Sequence, residues 1–282
     1  MRAALLTAAL LAAAPAAGQS CTPDEEAMGF CTAQAPAGDA PPPAPVPADQ
    51  ADRIWGKAAM EPVRAAVYAE HGGGQFSRIL IDLAEVRFAD GAESWLVEAD
   101  GWFGGDMNRL VVKADAEGEF GGGLHDLKLT ALYSRAIDPY FNLQAGVRHD
   151  VRPQPQRTHI VAGISGLAPY WFEVDGYLQL STKGELRATA SAEYDLRLTQ
   201  RLILQPKLEL ELSAQDIPEL AIGSGLVRGE AGLRLRYEIA REFAPYLGVV
   251  HESRFGRTAD FARAAGESAS GTAFVLGVRA WF

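Results

Sequence analysis

Residues 185–197 read Glu-Leu-Arg-Ala-Thr-Ala-Ser-Ala-Glu-Tyr-Asp-Leu-Arg, and their spacing decides the fold. Glu185, Arg187, Thr189, Ser191, Glu193, Asp195 and Arg197 fall on one face of an extended chain, while Leu186, Ala188, Ala190, Ala192, Tyr194 and Leu196 fall on the other. Side chains alternate like this only in a β-strand, where the period is two. The next stretch repeats the pattern: Gln205, Lys207, Glu209 and Glu211 alternate with Leu204, Pro206, Leu208, Leu210 and Leu212. Arg228, Glu230, Arg234, Arg236 and Glu238 alternate with Ala231, Leu233, Leu235 and Tyr237 in the one after. A soluble antiparallel sandwich also alternates. It rarely keeps strands this long with charges this dense on a single face. A barrel with lipid outside and a wet, charged lumen explains both.

Working outward, the same period marks segments 78–89, 93–103, 107–117, 124–135, 139–150, 157–166, 170–182, 185–198, 201–213, 226–240, 243–253 and 271–282. Soluble strands run to ~5–6 residues, and membrane-crossing strands need about 9–11. The segments predict an all-β, antiparallel transmembrane β-barrel of about twelve strands over residues 75–282. Connections after Gly118, His149, Ser213 and Gly256 read as long, and those around Asp138, Ala168, Thr199 and Ala240 as short. That asymmetry fits external loops and periplasmic turns. Only Lys183-Gly184 is tight for its side. Aromatic residues near strand ends (Trp95, Tyr133, Tyr140, Tyr170, Trp171, Tyr194, Tyr237, Tyr246 and Trp281) suit interfacial girdles. Phe274, Leu276, Val278 and Ala280 alternate to a terminal Phe282, which resembles the signal read by the barrel assembly machinery.

Composition agrees. The 282 residues are 48% apolar and 22% charged, with a formal net charge of −10. The mean hydropathy of −0.04 argues against a helical membrane protein. An acidic balance with scattered Lys and Arg disfavours nucleic acid as a partner. Two cysteines are too few for a disulfide scaffold or a four-thiolate zinc site.

The amino terminus reads as an address. Arg2, the apolar run Ala3 to Ala14 and Ala16-Ala17-Gly18 make a secretory signal peptide over residues 1–18. Residues 19–50 form a periplasmic segment holding Cys21, Met28 and Cys31 and then a Pro/Ala spacer. The cysteines read either as a disulfide or, with the Met28 thioether, as soft ligands for Cu(I). Asp49 to Glu70 reads as a short helix, with Asp52 as its cap, Pro62 as a kink and Gly72-Gly73-Gly74 as its end. That helix could tuck into the barrel mouth or lie on the membrane surface.

Three motifs add a resemblance. Ile54-Trp55-Gly56-Lys57-Ala58-Ala59-Met60 with Glu70-His71-Gly72-Gly73 comes first, followed by Ala99-Asp100-Gly101-Trp102-Phe103-Gly104-Gly105-Asp106. Pro245-Tyr246-Leu247-Gly248-Val249 and Phe255-Gly256-Arg257-Thr258-Ala259-Asp260 close the set. In order and spacing they resemble the copper resistance protein B (CopB) family, over Ile54 to Phe282. The resemblance implies a protein of the Gram-negative outer membrane that binds copper or passes it outward. It also implies a periplasmic copper carrier or oxidase as partner. The Met- and His-rich amino-terminal segment of many members is replaced here by the Cys21/Cys31 segment.

Copper favours imidazole, thioether and thiolate ligands, and the chain offers five His, four Met and two Cys. Met60, His71 and Met107 are candidates for a site at the periplasmic mouth, with His125, His149, His159 and His251 near the external strand ends. For each histidine singly, an interfacial or hydrogen-bonding role is the competing reading. His125 and His149 share parity with the apolar faces of their strands, which weakens them as lumen ligands. Glu85, Glu98, Asp100 and Asp106 would line an acidic lumen attractive to cations, or else pair with Arg87, Arg109 and Lys113 and fill it. Enzyme readings find no support. Gly163-Ile164-Ser165-Gly166 lacks the spacing of a nucleophile elbow, and Gly121-Gly122-Gly123 opens a strand rather than a helix. The general alternative is a barrel for small solutes without metal selectivity.

Overall fold

A computed structural model describes residues 49–89 and 93–282. The described residues fall into two units, 49–65 and Ala66–Phe282. Asp52–Trp55 and Lys57–Val67 are helical, and a single π-turn, Tyr68–Gly72, follows. Asp52 does not cap the first helix. Its carboxylate instead accepts two hydrogen bonds from the Arg64 guanidinium, at 2.5 and 3.3 Å. The break falls at Gly56 (φ 83°), a left-handed conformation that favours glycine, and Pro62 is accommodated inside the second helix.

The strands are β1 (Phe76–Phe88), β2 (Ser94–Gly104), β3 (Asn108–Glu119), β4 (Gly123–Ala136), β5 (Phe141–Arg152), β6 (Arg157–Ala168) and β7 (Phe172–Ser181). They continue with β8 (Leu186–Glu193), β9 (Leu196–Arg197), β10 (Leu202–Ser213), β11 (Gly225–Tyr237), β12 (Phe243–Arg254) and β13 (Ser270–Trp281). β8 and β9 both pair with β10 and are one barrel strand interrupted at Tyr194-Asp195. Twelve strands therefore cross, within a few residues of the segments expected from periodicity.

Every neighbour in the sheet is antiparallel, and β1 pairs with β13 to close it. At that seam Ile79 and Phe282 exchange both backbone hydrogen bonds, at 3.0 and 2.8 Å. Closure leaves no strand edge unpaired, which is what a chain in lipid requires.

Burial is inverted relative to a soluble protein. Arg234 and His159 rank with Leu132 and Ile203 as the largest fully buried side chains, while Leu208, Leu233, Leu247, Phe274 and Leu276 point outward and are exposed. Charged residues almost never occupy a soluble core, and an apolar belt of this extent needs an apolar solvent. The outward face is the lipid face.

Both ends of the barrel chain lie at one rim. Connections there are short: 105–107, 137–140, 169–171, 198–201 and 238–242. At the opposite rim, 214–224 and 255–269 are long, and the latter holds the helix Gly256–Ala264. The connection after β3, expected to be long, is only the turn 120–122, and that after β5 is 153–156. Gly118 does not start a loop because it is paired within the ladder, opposite Leu124 and Trp95. The Lys183-Gly184 turn is tight, as its sequence indicates.

Candidate functional site

The lumen is built by parity, with local reversals at bulges, and the one in β1 shapes the site. β1 carries a bulge between Ile81 and Leu83, so Asp82 and Leu83 break the alternation. Leu83, Glu85 and Arg87 are consequently turned inward and buried. Glu85 accepts from Arg87 Nε at 2.9 Å, from Arg234 Nε and Nη2 at 2.9 and 3.0 Å, and from the Tyr246 hydroxyl at 3.0 Å. The guanidinium of Arg87 also donates to both carboxylate oxygens of Glu230, at 3.1 and 3.2 Å. Charges removed from water persist only when paired and hydrogen-bonded like this. Tyr246, expected at the membrane interface, is therefore a lumen residue, with 4% of its surface exposed. Beside it Leu83, Leu96, Val250 and Val275 form an apolar cluster that fills this wall.

The rest of the lumen holds open space, bordered in part by the same Arg87 and Glu230. A cavity of about 710 Å³ is lined by twelve carboxylates and nine Lys or Arg side chains. Glu98 accepts from Lys207 at 2.8 Å, and Lys207 also reaches Glu209 at 2.7 Å. Asp100 lies 3.6 Å from Arg78, and Asp82 lies 3.1 Å from Arg279. Lys113 pairs with Asp175 and the Tyr177 hydroxyl, both of β7, rather than with a β2 acid. Arg109 pairs with no acid of β2 either: its guanidinium stacks 4.2 Å from the Trp102 ring, and its Nε donates to the Gly105 carbonyl. Val111, Leu132 and Val161 make the apolar floor between these groups.

A second cavity, about 150 Å³, sits under the long connections and shares four lining residues with the first: Asp126, Lys128, Glu211 and Arg228. Lys128 pairs with Asp126 at 2.8 Å, Arg187 with Glu211, and Arg228 with Glu230 and Glu252 at 2.9 and 3.0 Å. Mixed charge thus rings the border that the two cavities share. Above it, Glu219 accepts from Arg157 at 2.6 Å and Lys183 at 3.3 Å, and Asp216 from Arg257 at 2.5 Å. Thr258 Oγ accepts from the Gly223 backbone N–H at 2.9 Å. These bonds hold segment 214–224 across the rim. The Arg157 and Lys183 hydrogen bonds keep the Glu219 carboxyl below its ordinary range. The Ser224 N–H and then the Arg257 charge do the same for Asp216.

The candidate residues separate. Glu85, Glu98 and Asp100 face the lumen, each beside a cation. Asp106 does not: it lies exposed in the turn between β2 and β3. His159 alone of the four far-rim histidines is turned inward. It is fully buried, with Nε2 3.0 Å from Asp150 and Nδ1 without a partner. His149 and His251 face outward, each bonded at 2.8 Å to a threonine directly opposite, Thr158 and Thr272. His125 is exposed, 3.8 Å from Glu119. These three therefore form no lumen pathway.

Met60 lies within the Lys57–Val67 helix and His71 in the π-turn, where its Nδ1 is 3.9 Å from Glu70. Met107, 57% exposed, sits in the turn after Gly105, whose Cα faces the Gly74 carbonyl. His71 and Met107 thus belong to the same rim. Cys21, Met28 and Cys31 lie outside the described residues. Among the described residues, no group of three or more His, Cys, Asp or Glu is arranged to hold a metal ion. The Asp150–His159 and Lys207–Glu98 pairs were not foreseen as pairs, although inward parity marks all four residues.

Comparison with known proteins places the chain. The family model described as copper resistance protein B precursor (CopB) matches residues 75–282. Copper resistance protein B of Escherichia coli is 39% identical over 206 residues, covering 72% of this chain and 69% of that protein. The copper resistance protein B homolog of Pseudomonas syringae pv. tomato is 36% identical over 225 residues, covering 78% and 76%. Among solved structures, the NanC porin is 11% identical with a TM-score of 0.48, covering 71% of this chain and 98% of that one. The barrel itself is established by the closed strand pairing. The chain belongs to the copper resistance protein B family, as an outer-membrane β-barrel with a charged lumen.

Proposed function

We propose that the barrel passes copper ions outward across the outer membrane, with the chain-terminal rim in the periplasm and the long connections outside. One observation carries this reading. Two polar cavities, one inside the barrel and one beneath the far loops, share the charged lining residues Asp126, Lys128, Glu211 and Arg228. Carboxylates outnumber cations along the larger cavity, so its field favours a cation over an anion. The names of the relatives direct the choice of cation to copper.

The ligand chemistry sets the form in which copper travels. Among the described residues, no His, Cys or Met side chain lines the larger cavity. Carboxylates are hard ligands and bind a hydrated divalent ion loosely. Loose binding allows exit as well as arrival. Recognition of copper then falls outside the lumen, to His71 and Met107 at the periplasmic rim and to Cys21, Met28 and Cys31 ahead of the barrel. A periplasmic copper carrier or oxidase would deliver the ion there, and Phe282 would present the chain to the barrel assembly machinery.

A second reading has its own support. With no three-ligand cluster among the described residues, the barrel would be a path for small solutes without metal preference. Flux of copper, zinc and a neutral sugar into proteoliposomes separates the two. Copper ahead of zinc, with the sugar excluded, is expected. Equal permeation of all three overturns the copper reading.

A further inference from the structure

Segment 214–224 does more than join β10 to β11. Ile217 and Ile222 exchange both backbone hydrogen bonds, at 2.8 and 3.1 Å, and Asp216 accepts from the Ser224 N–H at 2.8 Å. The segment is therefore a small closed unit, and it reaches sideways in both directions. On one side Gln215 bonds to Gly184 and Leu186, and Glu219 to Lys183 and to Arg157 of β6. On the other, Asp216 and Gly223 bond to Arg257 and Thr258 of the helix that follows β12. With β8 and β9 counted as one, these anchors run from the sixth barrel strand to the connection after the eleventh. The segment spans roughly half the circumference of a twelve-stranded mouth.

Its two sides differ. Leu220 and Ile222 line the smaller cavity together with Lys128 of β4, Arg187 of β8 and Arg254 of β12, and so form its ceiling. Pro218, Glu219, Ala221 and Ser224 are exposed on the other side. Arg157 independently marks the cover. It is the first residue of β6, at the rim itself, yet only 2% of its side chain is exposed. A cation at an uncovered mouth would keep its head in water. Beside β1, β12 and β13 the lumen needs no cover, because Glu85, Arg87, Tyr246 and the apolar cluster around Leu83 already fill it.

We propose that segment 214–224 is a lid over the far end of the lumen, and that its opening limits the passage of ions. The contacts that hold it suit a part that moves. Glu219 is 58% exposed and Arg257 62%, and exposed ion pairs hold weakly and yield to salt. When Glu219 departs, Arg157 keeps its bonds to Glu185 and to the Pro155 and Gln156 carbonyls, so opening strands no buried charge. Lids are drawn from such locally weak elements on a rigid frame. The lid governs the same lumen as the proposed copper path, but it rests on the closed barrel and its two cavities and not on the choice of cation.

The test reconstitutes the full chain in planar bilayers and reads single-channel conductance in potassium chloride, so that no preference for copper enters. The native chain is compared with one in which residues 215–223 are replaced by a short Gly-Ser turn, each shown to be folded by heat-modifiable gel mobility. The shortened chain should conduct severalfold more. Equal conductance overturns the lid, as does the absence of current from both, which places the block elsewhere in the lumen. A second readout leaves the segment in place, with Ile217→Cys in a background of Cys21→Ser and Cys31→Ser. Ile217 is buried, and labelling of this cysteine by a water-soluble maleimide should speed up severalfold when Asp216→Asn and Glu219→Gln are added. An unchanged rate overturns the proposal. If both readouts behave as expected while copper, zinc and sugar permeate alike, the lid stands and the copper reading falls.

Discussion

Glu85 and Arg234 lie 149 residues apart in sequence and meet across the lumen through two hydrogen bonds of 2.9 and 3.0 Å. Neither side chain touches water to any extent: their side chains are 0% and 1% exposed. Removing Glu85 leaves Arg234 without that carboxylate in a dry environment, a loss of about 3–5 kcal/mol for a broken buried pair, whereas Arg234→Ala leaves Glu85 the bonds from Arg87 and Tyr246. Glu85→Ala should lower the unfolding free energy of the barrel in micelles by that order, read from urea titration, and Arg234→Ala by less. The double variant Glu85→Gln with Arg234→Met should recover part of the loss, and strict additivity of the two sites would show that the pair is not coupled.

Gly146 tests how closely β4 and β5 approach. A Cβ there would collide with the Ala131 carbonyl oxygen, so the ladder would have to shift. Gly146→Ala should destabilise the barrel by roughly 1–3 kcal/mol, the usual cost of overpacking. Gly176→Ala, where nothing lies within 4 Å of the new atom, serves as the control and should be close to neutral.

Acid should loosen segment 214–224. Asp216 and Glu219 both hold their protons less tightly in the folded chain than in the unfolded one. A carboxyl lowered on folding contributes its stabilisation above the unfolded value, near 4, and loses it as the pH falls through the folded value. Hydrogen exchange of 214–224 should therefore be slow and flat at neutral pH, after correction for the intrinsic rate, and rise below about pH 4. Glu219→Gln should show faster exchange already at pH 7, through loss of the carboxylate charge that pairs with Arg157 and Lys183.

The shared ring should set ion preference. Lys128→Gln removes a cation shared by both cavities and leaves Asp126 unpaired there. Reversal potentials in a salt gradient should move toward cation selectivity, and copper flux should rise by a factor of a few. Asp126→Asn should shift both in the opposite direction. If neither variant moves the reversal potential, ions do not pass this ring.

The proposed copper recognition at the rim can be tested apart from flux. Met107→Ala and His71→Ala should each weaken copper binding in a titration of the folded chain, by about tenfold for one lost ligand. Unchanged affinity in both variants removes this rim as a recognition site.

Much of the molecule was legible from spacing. Alternation in segments such as Glu185–Arg197 marked twelve crossings, and the outward set of Leu208, Leu233 and Leu276 is the lipid face it indicated. His149, whose parity matched the apolar side of β5, does face outward. Aromatic placement was less reliable: Tyr246 has the look of a girdle residue, yet its ring is inside the barrel. Asp106 lies between the expected strands 93–103 and 107–117, where strand parity says nothing of direction, and it is exposed in the turn rather than in the lumen.

The sequence by itself determined the strands, their two faces and the demand for an apolar surround, because side-chain direction in a strand depends only on every second residue. Tertiary structure alone decided which inward charges meet. The bulge at Ile81–Leu83 reverses parity within β1. Ring closure then brings Glu85 to Arg234, Glu98 to Lys207 and Lys113 to Asp175 across the lumen. Partners across a barrel are set by strand number, tilt and stagger, quantities that belong to the closed sheet and to no single segment of it.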